Sequence, residues 1–319
     1  MHKVTVVVPV YNAEQCIERC VRSLFEQTLD DIEYVFVDDC TPDRSMEVLE
    51  RVLEEYPHRA GNVVIIRHAR NTGQSGARRD GIEAATGKYI IHCDADDWVD
   101  PEMYEAMYDK AEAEGVEAVC CDIVLEFDDY STVLSVSDAY DDHQLMYDCK
   151  APVSVEYFSM CNRLVLREIF ERNTILPFEG VNMWDDVGMS TRIRFYVGST
   201  AVINKAFYHY NRQNEQSTTR RPLLERAREQ ELCIQCIEDF FRKENQYEKY
   251  RLFISYLRLF AAEDVFYQEP DLWRQKFAGL GGDLWKLRGV YTKKQLFKFY
   301  TLGYGGVIGK LIWKRFWNR

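Results

Sequence analysis

The sequence predicts an open, mostly parallel α/β sheet flanked by helices and followed by a helical C-terminal region. Three observations predict it. In the first hundred residues, short β-branched apolar runs alternate four times with stretches of helical periodicity. The links between them are short, which in such a series implies parallel strands joined by right-handed crossovers. Past Arg220 the alternation stops and long helical spacing takes over.

Residues 3–10 form an apolar run continuous enough for a strand buried on both faces. Residues 13–27 set Cys16, Ile17, Cys20, Val21, Leu24 and Phe25 at helical spacing. A second strand spans 32–37 and ends at Asp38-Asp39, 45–56 is helical, and 62–68 is a third strand. A helix over 74–85 leads to a fourth strand at 88–93, ending at Asp94. From about 115 the pattern changes. Here 116–127 and 131–136 read as strands, 137–160 as irregular and acidic, and 162–172 and 185–196 as helices. Short apolar runs follow at 201–203 and 206–210, then long helices at 223–243 and 247–267. The expected division is a sheet-based domain over 1–218 and a helical region over 219–319.

The 319 residues carry 40 Lys+Arg against 52 Asp+Glu, a formal charge of −12, which argues against a nucleic-acid partner. No run of about 18 uncharged apolar residues is present, so no spanning helix is expected. Met1-His2-Lys3 passes straight into Val4-Thr5-Val6-Val7-Val8, too short for a secretory h-region and without a small-residue cleavage site. The expectation is a cytoplasmic protein. Of the ten cysteines, Cys233 and Cys236 form a CxxC pair with no second pair at zinc-site separation, so reduced thiols filling core positions are expected. Charge is uneven: residues 270–319 hold eleven Lys+Arg and two Asp+Glu, a basic aromatic tail on an acidic body.

Each of the four strands runs into a polar cluster: Pro9-Val10-Tyr11-Asn12, Asp38-Asp39-Cys40-Thr41, Arg70-Asn71-Thr72-Gly73 and Asp94-Ala95-Asp96-Asp97. In a parallel sheet these carboxyl ends share one rim, where ligands bind. Three carboxylates in four positions repel one another by ~4 kcal/mol per close pair near a protein surface, and a bound cation relieves that repulsion. Oxygen-only ligation selects Mg²⁺ or Mn²⁺, which take one or two carboxylates together with substrate phosphates. No GxxxxGK[ST] and no GxGxxG after the first strand is present, which disfavours a P-loop NTPase or a dehydrogenase.

In order and spacing, Pro9-Val10-Tyr11-Asn12, Val37-Asp38-Asp39, Asn71-Thr72-Gly73-Gln74-Ser75-Gly76-Ala77-Arg78, Gly81-Ile82, Gly87-Lys88-Tyr89-Ile90 and Asp94-Ala95-Asp96-Asp97 resemble family 2 glycosyltransferases of the bacterial envelope-glycan type. The resemblance covers roughly residues 3–100. It implies a GT-A fold, a nucleotide-diphosphate sugar donor, Mn²⁺ or Mg²⁺, and inversion at the anomeric centre. It further implies that Pro9, Tyr11 and Asn12 line the base pocket and that Asp39 accepts from an imide N–H, which suits uracil or thymine, with UDP the expected donor nucleotide. Asn71 would belong to the donor loop, Arg78 would meet the diphosphate or base, and Asp94 would hold the ribose. Asp96 would hold the metal, with Asp94 and Asp97 as further ligands.

Cys40-Thr41 stands where the family often has Gly-Ser, and Arg79 where it usually has Asn; Arg79 is either a further diphosphate contact or a solvated helix residue. Trp184-Asp185-Asp186 resembles the family's Glu-Asp motif at a helix start, with Asp186 the expected general base and Asp185 its support or alternative. The plain structural alternative is that both complement a helix dipole. His209 reads equally as a structural histidine or as a metal or phosphate contact. No QxxRW-like motif appears, so single addition rather than processive synthesis is expected. Basic residues interleaved with aromatics over 293–319 suggest a helix lying on an anionic membrane surface, on the inner face of the cytoplasmic membrane. The alternatives are docking on the chain's own acidic flank or packing in a homodimer.

The resulting expectation is a metal-dependent inverting glycosyltransferase acting on a glycan or lipid-linked acceptor. A sugar-phosphate nucleotidyltransferase would want a Gly-rich basic loop where Tyr11-Asn12-Ala13-Glu14 stands, and a non-catalytic nucleotide-sugar-binding scaffold would not need the intact carboxylates.

Overall fold

The computed structural model describes residues 2–135, 146, 155–214, 221–269, 271, 272, 274 and 282–304. The chain divides into two compact units, 1–139 with 155–217, and 140–154 with 218–319. The first unit opens with β1 (Val4–Val10), α1 (Ile17–Phe25), β2 (Ile32–Asp38), α2 (Ser45–Glu55), β3 (Val63–Arg67), α3 (Gln74–Ala84) and β4 (Tyr89–His92). β1 pairs in parallel with β2 and β4, and β2 with β3. Val4, Val6, Val7, Val8 and Val10 of β1 are all fully buried, as a strand covered on both faces requires. α1 lays Ile17, Cys20, Val21, Leu24 and Phe25 on that sheet, the face its periodicity defines.

The second half of this unit adds β5 (Trp98–Val99), α4 (Met103–Glu114), β6 (Ala118–Glu126), β7 (Ser131–Leu134), α5 (Val155–Phe158), β8 (Arg163–Leu166), α6 (Arg167–Asn173), α7 (Asp185–Tyr196) and β9 (Thr200–Asn211). The sheet order is β3-β2-β1-β4-β8-β6-β9-β5, with β7 paired to β6. β8 runs antiparallel to both β4 and β6, so β6 and β9 point the same way as the first four strands.

Two expectations are corrected. The helix expected over 162–172 is instead β8 followed by α6, because Leu164 and Val165 are fully buried between β4 and β6 and the strand ladder outweighs local helical spacing. The separate runs at 201–203 and 206–210 are one strand, β9, with a register shift opposite Cys121 and Asp122. Most of 137–160 lies outside the described residues. All nine described cysteines are free thiols.

In the second unit, α8 (Leu223–Lys243) packs on α9 (Tyr247–Gln268), burying Cys233, Ile234, Ile237 and Phe241 of α8 and Phe253, Ile254 and Leu257 of α9. A 3₁₀ turn at Leu284–Leu287 precedes α10 (Lys293–Tyr304). Thr292 and Gln295 cap α10 reciprocally: Gln295 N–H donates to Thr292 Oγ1 at 3.2 Å, and Thr292 N–H donates to Gln295 Oε1 at 3.0 Å. Among the described residues no helix is long and apolar enough to cross a membrane.

The seat of α3 on the sheet depends on a glycine. A Cβ on Gly81 would lie 2.3 Å from Val7 Cγ1 and 3.4 Å from Val37 Cγ2. Gly81→Ala is expected to cost about 1–3 kcal/mol by overpacking, measured by urea unfolding. Gly61→Ala, with nothing within 4 Å of the added carbon, is the control and stays within about 0.5 kcal/mol of the parent.

Candidate active site

The carboxyl ends of β1, β2, β3 and β4 form one rim. Two of its connections require left-handed backbone at non-glycine residues, Asn12 at φ 54° after β1 and Cys40 at φ 57° after β2. The Cys40 conformation explains why glycine suits that position. Tyr11 is half exposed beside Asn12, whose N–H donates to Thr41 Oγ1 at 2.8 Å. Pro9 lies beyond the last β1–β4 pair, Val7 with His92, where its missing N–H interrupts no ladder on that side.

Asp39 reaches the rim but turns into the β3–α3 loop. Its Oδ1 accepts from Thr72 N–H at 2.7 Å, Thr72 Oγ1 at 2.8 Å and His68 Nδ1 at 2.8 Å, and its Oδ2 accepts from Gly73 N–H at 2.8 Å. Gly73, at φ 83°, also receives Asn71, whose Oδ1 accepts the same N–H at 3.1 Å. The carboxylate therefore shapes the loop that carries Asn71, which sequence reading did not anticipate, and a further acceptor position remains at Oδ2.

The centre of the site is Arg78, in the first half of α3 and buried. Its Nη1 donates to Asp185 Oδ2 at 2.5 Å and its Nη2 to Asp94 Oδ1 at 2.7 Å. The sequence places Arg78 against the diphosphate or base; in the structure it is a bridge between two carboxylates 91 positions apart in the chain. Neighbouring Arg79 donates to the Pro177 carbonyl at 2.8 Å, so it ties down the segment before α7. That segment is tied again by Asn182, whose Oδ1 accepts from Ser75 N–H at 3.2 Å and Ser75 Oγ at 3.0 Å at the start of α3.

Trp184 enters α7 with φ 73°, a costly conformation for a bulky side chain. That turn sends Asp185 inward to Arg78 while Asp186 lines a cavity of about 100 Å³ together with Arg78, Asp94, Cys161, Tyr208 and Tyr210. Burial, and next the Asp185 charge, push the Asp186 carboxyl up to about 7. Ser159, Met160 and Cys161 reach this cavity because β8 is antiparallel and presents its amino end to the rim. Periodicity did not reveal that strand, so these residues were missed.

Asp97 departs from the metal-ligand role expected of it. It is buried, with Oδ2 accepting from Tyr208 Oη at 2.5 Å and Oδ1 from Asn211 N–H at 2.8 Å, so it anchors the turn to β9. Asp96 Oδ2 accepts from Asn214 Nδ2 at 2.7 Å. Burial, and next the Asp94 charge, hold Asp96 above the ordinary carboxylate range. A neutral amide does not compensate a carboxylate in that position, and a hard divalent cation on Asp94 and Asp96 would. Among the described residues no three His, Cys, Asp or Glu side chains converge into a closed metal cage, so an ion here would complete its shell elsewhere. His209 is held between Glu126 Oε1 at 2.7 Å and Asp100 Oδ1 at 3.1 Å and stacks on Trp98 at 5.1 Å. That is the structural one of its two expected roles. Along α1 a groove of about 1350 Å³ runs from Asn12 and Asp43 to Asn214.

Fold and site together define an α/β protein with a carboxylate-rich rim at the carboxyl ends of its parallel strands. The glycosyl transferase family 2 model matches residues 5–173, and the chain belongs to that family. It is 32% identical over 224 residues to the uncharacterized glycosyltransferase EpsJ of Bacillus subtilis (strain 168), a match covering 69% of this chain and 63% of that protein. The chain thus spans a little under two thirds of that relative's length. In fold it is similar to S. aureus TarS 1–349 in complex with UDP-GlcNAc, with a TM-score of 0.70 at 15% identity over 94% of this chain and 87% of that one. It is also similar to the mannosyltransferase PcManGT of Pyrobaculum calidifontis in complex with GDP-Man and Mn²⁺, with a TM-score of 0.56 at 16% identity over 98% of this chain and 88% of that one. The fold is GT-A-like, as the sequence resemblance implied.

Removing the buried bridge leaves two carboxylates without their cation. Arg78→Met is expected to cost about 3–5 kcal/mol in denaturant unfolding. Arg79→Met, which loses one hydrogen bond to a carbonyl, costs about 1 kcal/mol.

Proposed function

We propose that this chain is an inverting glycosyltransferase that moves a sugar from a nucleoside-diphosphate donor, UDP-linked, to a hydroxyl of a glycan or lipid-linked acceptor. The observation that carries this reading is the convergence of Asp94 and Asp185 on Arg78, with Asp186 alongside in the same cavity. It puts a carboxylate suited to proton abstraction next to Asp94, which with Asp96 would hold the divalent cation that meets a diphosphate. The relatives named as glycosyltransferases and the neighbour bound to UDP-GlcNAc support it.

In this reading the base stacks on exposed Tyr11 and lies against Pro9 and Asn12, its imide N–H directed to Asp39 Oδ2. Asn71 borders it from the donor loop, and Asp94 takes the ribose. Asp94 and Asp96 would hold Mn²⁺ or Mg²⁺, which when bound neutralises charge on the departing diphosphate. Asp186 Oδ accepts the proton of the acceptor hydroxyl as that oxygen attacks the anomeric carbon from the face opposite the leaving group. The C–O bond to the nucleoside diphosphate breaks as the new one forms, and the configuration inverts. Asp185 pairs with Arg78 at 2.5 Å; burial, and next the Asp185 charge, raise Asp186 to about 7, where a general base works best. Positioning and charge stabilisation supply most of the rate gain.

The test is release of nucleoside diphosphate from a panel of nucleotide sugars with Mn²⁺. UDP-linked donors are expected to turn over and chelation by EDTA to stop turnover; no release from any donor overturns the reading. Asp96→Asn is expected to abolish the response to added metal. Asp186→Asn is expected to keep donor binding within a few-fold and lower kcat by about 10²–10⁴. Because Asp186 must be ionised to accept a proton, kcat of the parent is expected to rise with pH up to about 7 and then level.

The second unit supports contact with an anionic membrane through 293–319. On α10, Leu296 and Phe299 face inward, while Phe297 and Tyr300 are exposed, as is Trp285 of the preceding turn. From 284 to 319 the sequence has nine Lys+Arg and no acid. The protein is expected to sediment with anionic vesicles at low salt and to be released by about 0.5 M salt, as screening of headgroup attraction requires. Equal behaviour with neutral vesicles overturns this assignment.

A further inference from the structure

The donor loop contains a group that the mechanism above does not use. His68 follows β3, and both of its ring nitrogens meet carboxylates: Nδ1 lies 2.8 Å from Asp39 Oδ1 and Nε2 2.8 Å from Asp80 Oδ2. The side chain is only 8% exposed. A neutral imidazole has one N–H and one lone pair, so it donates to only one of these oxygens, and its Nδ1 lone pair is then met only if Thr72 Oγ1, 3.0 Å away, turns its proton from Asp39 to the ring. Only the imidazolium donates to both. Of the nearby cations, Arg67 pairs with Asp38 at 3.3 Å and Glu50 at 2.5 Å, Arg78 pairs with Asp94 and Asp185, and Arg70 is exposed. Asp39 and Asp80 are the charged groups in hydrogen-bond contact with this ring, one from the end of β2 and one from α3.

The consequence runs through Asp39. That carboxylate organises Thr72 and Gly73, and Gly73 opens α3, the helix that presents Arg78. We propose that His68 is a positioning residue whose imidazolium clamps Asp39 to Asp80 and thereby sets the donor loop, so that affinity for a nucleoside diphosphate falls when the ring loses its proton. This deepens the reading in which Asp39 faces the nucleobase and rests on it. Hydrogen bonds from His68 to Asp39 and Asp80 raise the imidazole above its ordinary value, although burial, the largest single influence, opposes them. A group raised on folding stabilises the folded loop at low pH, and that contribution is lost as pH rises through the folded value. The clamp is thus intact below the raised value and released as pH rises through it. Asp186 acts in the opposite direction and on a different quantity: it limits kcat on the acid side, whereas His68 limits donor binding on the alkaline side.

The experiment has two arms on the full chain. In the first, histidine ¹³C and ¹⁵N chemical shifts report His68 ionisation. The ring is expected to titrate above free histidine in the parent and to move back toward it in Asp80→Asn; a ring neutral at pH 7 in the parent overturns the proposal whatever the protein's activity. In the second, UDP with Mg²⁺ is titrated calorimetrically from pH 6 to about 8.5, below the ionisation of the uracil imide. The parent is expected to lose about tenfold in affinity, the equivalent of one charge-assisted hydrogen bond, and His68→Gln to bind more weakly at pH 7 with a flat profile. A parent profile as flat as that of His68→Gln overturns the proposal. Failure of UDP to bind at any pH sinks the donor assignment and with it the coupling proposed here, while the first arm still decides whether the clamp exists. Unfolding midpoints of both variants, expected within a few degrees of the parent, separate loss of the clamp from loss of the fold.

Discussion

One buried guanidinium holds the candidate site together. Arg78 is almost inaccessible to water, so its charge must be met by the protein, and Asp94 and Asp185 meet it. These carboxylates come from opposite ends of the folding unit, one ending β4 and the other opening α7. Without the cation they would repel each other in a region of low polarisability. With it they converge, and the rest of the local geometry follows. Asp94 is fixed at the head of the turn carrying Asp96. The inward set of Asp185 leaves Asp186 toward the cavity. The charge on Asp185, too close to be screened, then acts with burial to hold Asp186 in a proton-accepting range near neutrality.

Three of the five described non-glycine residues with left-handed backbone lie where this arrangement needs them; the others, Thr174 and Asn245, follow helix ends. Asn12, Cys40 and Trp184 all hold left-handed conformations, and all three sit at connections that deliver side chains to the rim or the cavity. Such conformations persist only where surrounding contacts over-determine them. Here the contacts are visible: Asn12 N–H on Thr41, the Asp38 carboxylate on Thr41 N–H, and the hydrogen-bonded start of α7 behind Trp184.

Much of this was legible in the sequence, for physical reasons that also explain the omissions. Short β-branched apolar runs alternating with helical stretches favour parallel strands buried on both faces, so β1, β2 and β4 were plain, and with them the rim. The carboxylate cluster at Asp94 to Asp97 announced charge in need of compensation. What it did not announce was which member needed it. Asp97 is satisfied by Tyr208 and Asn211, residues more than a hundred positions away, and no local pattern encodes that pairing. The strand at Arg163–Leu166 was hidden because four residues carry too little periodicity to distinguish a strand from the start of the helix that follows. Missing it also hid Cys161 and Met160. His209 was ambiguous between two roles because its partners are distant in sequence, Glu126 ending β6 and Asp100 just past β5.

The three ties from α3 to the stretch before and into α7, through Ser75, Arg78 and Arg79, act as a splint. A splint of this kind fixes length as well as position. The segment between Pro177 and Asp185 cannot gain or lose a residue without pulling one of its three anchor points out of reach. The tight reversal joining β6 to β7 has no such tether to α3. Natural diversification of relatives by insertion should therefore crowd into that reversal and spare the splinted stretch, leaving a chain whose outline varies while its chemical centre keeps a constant gauge.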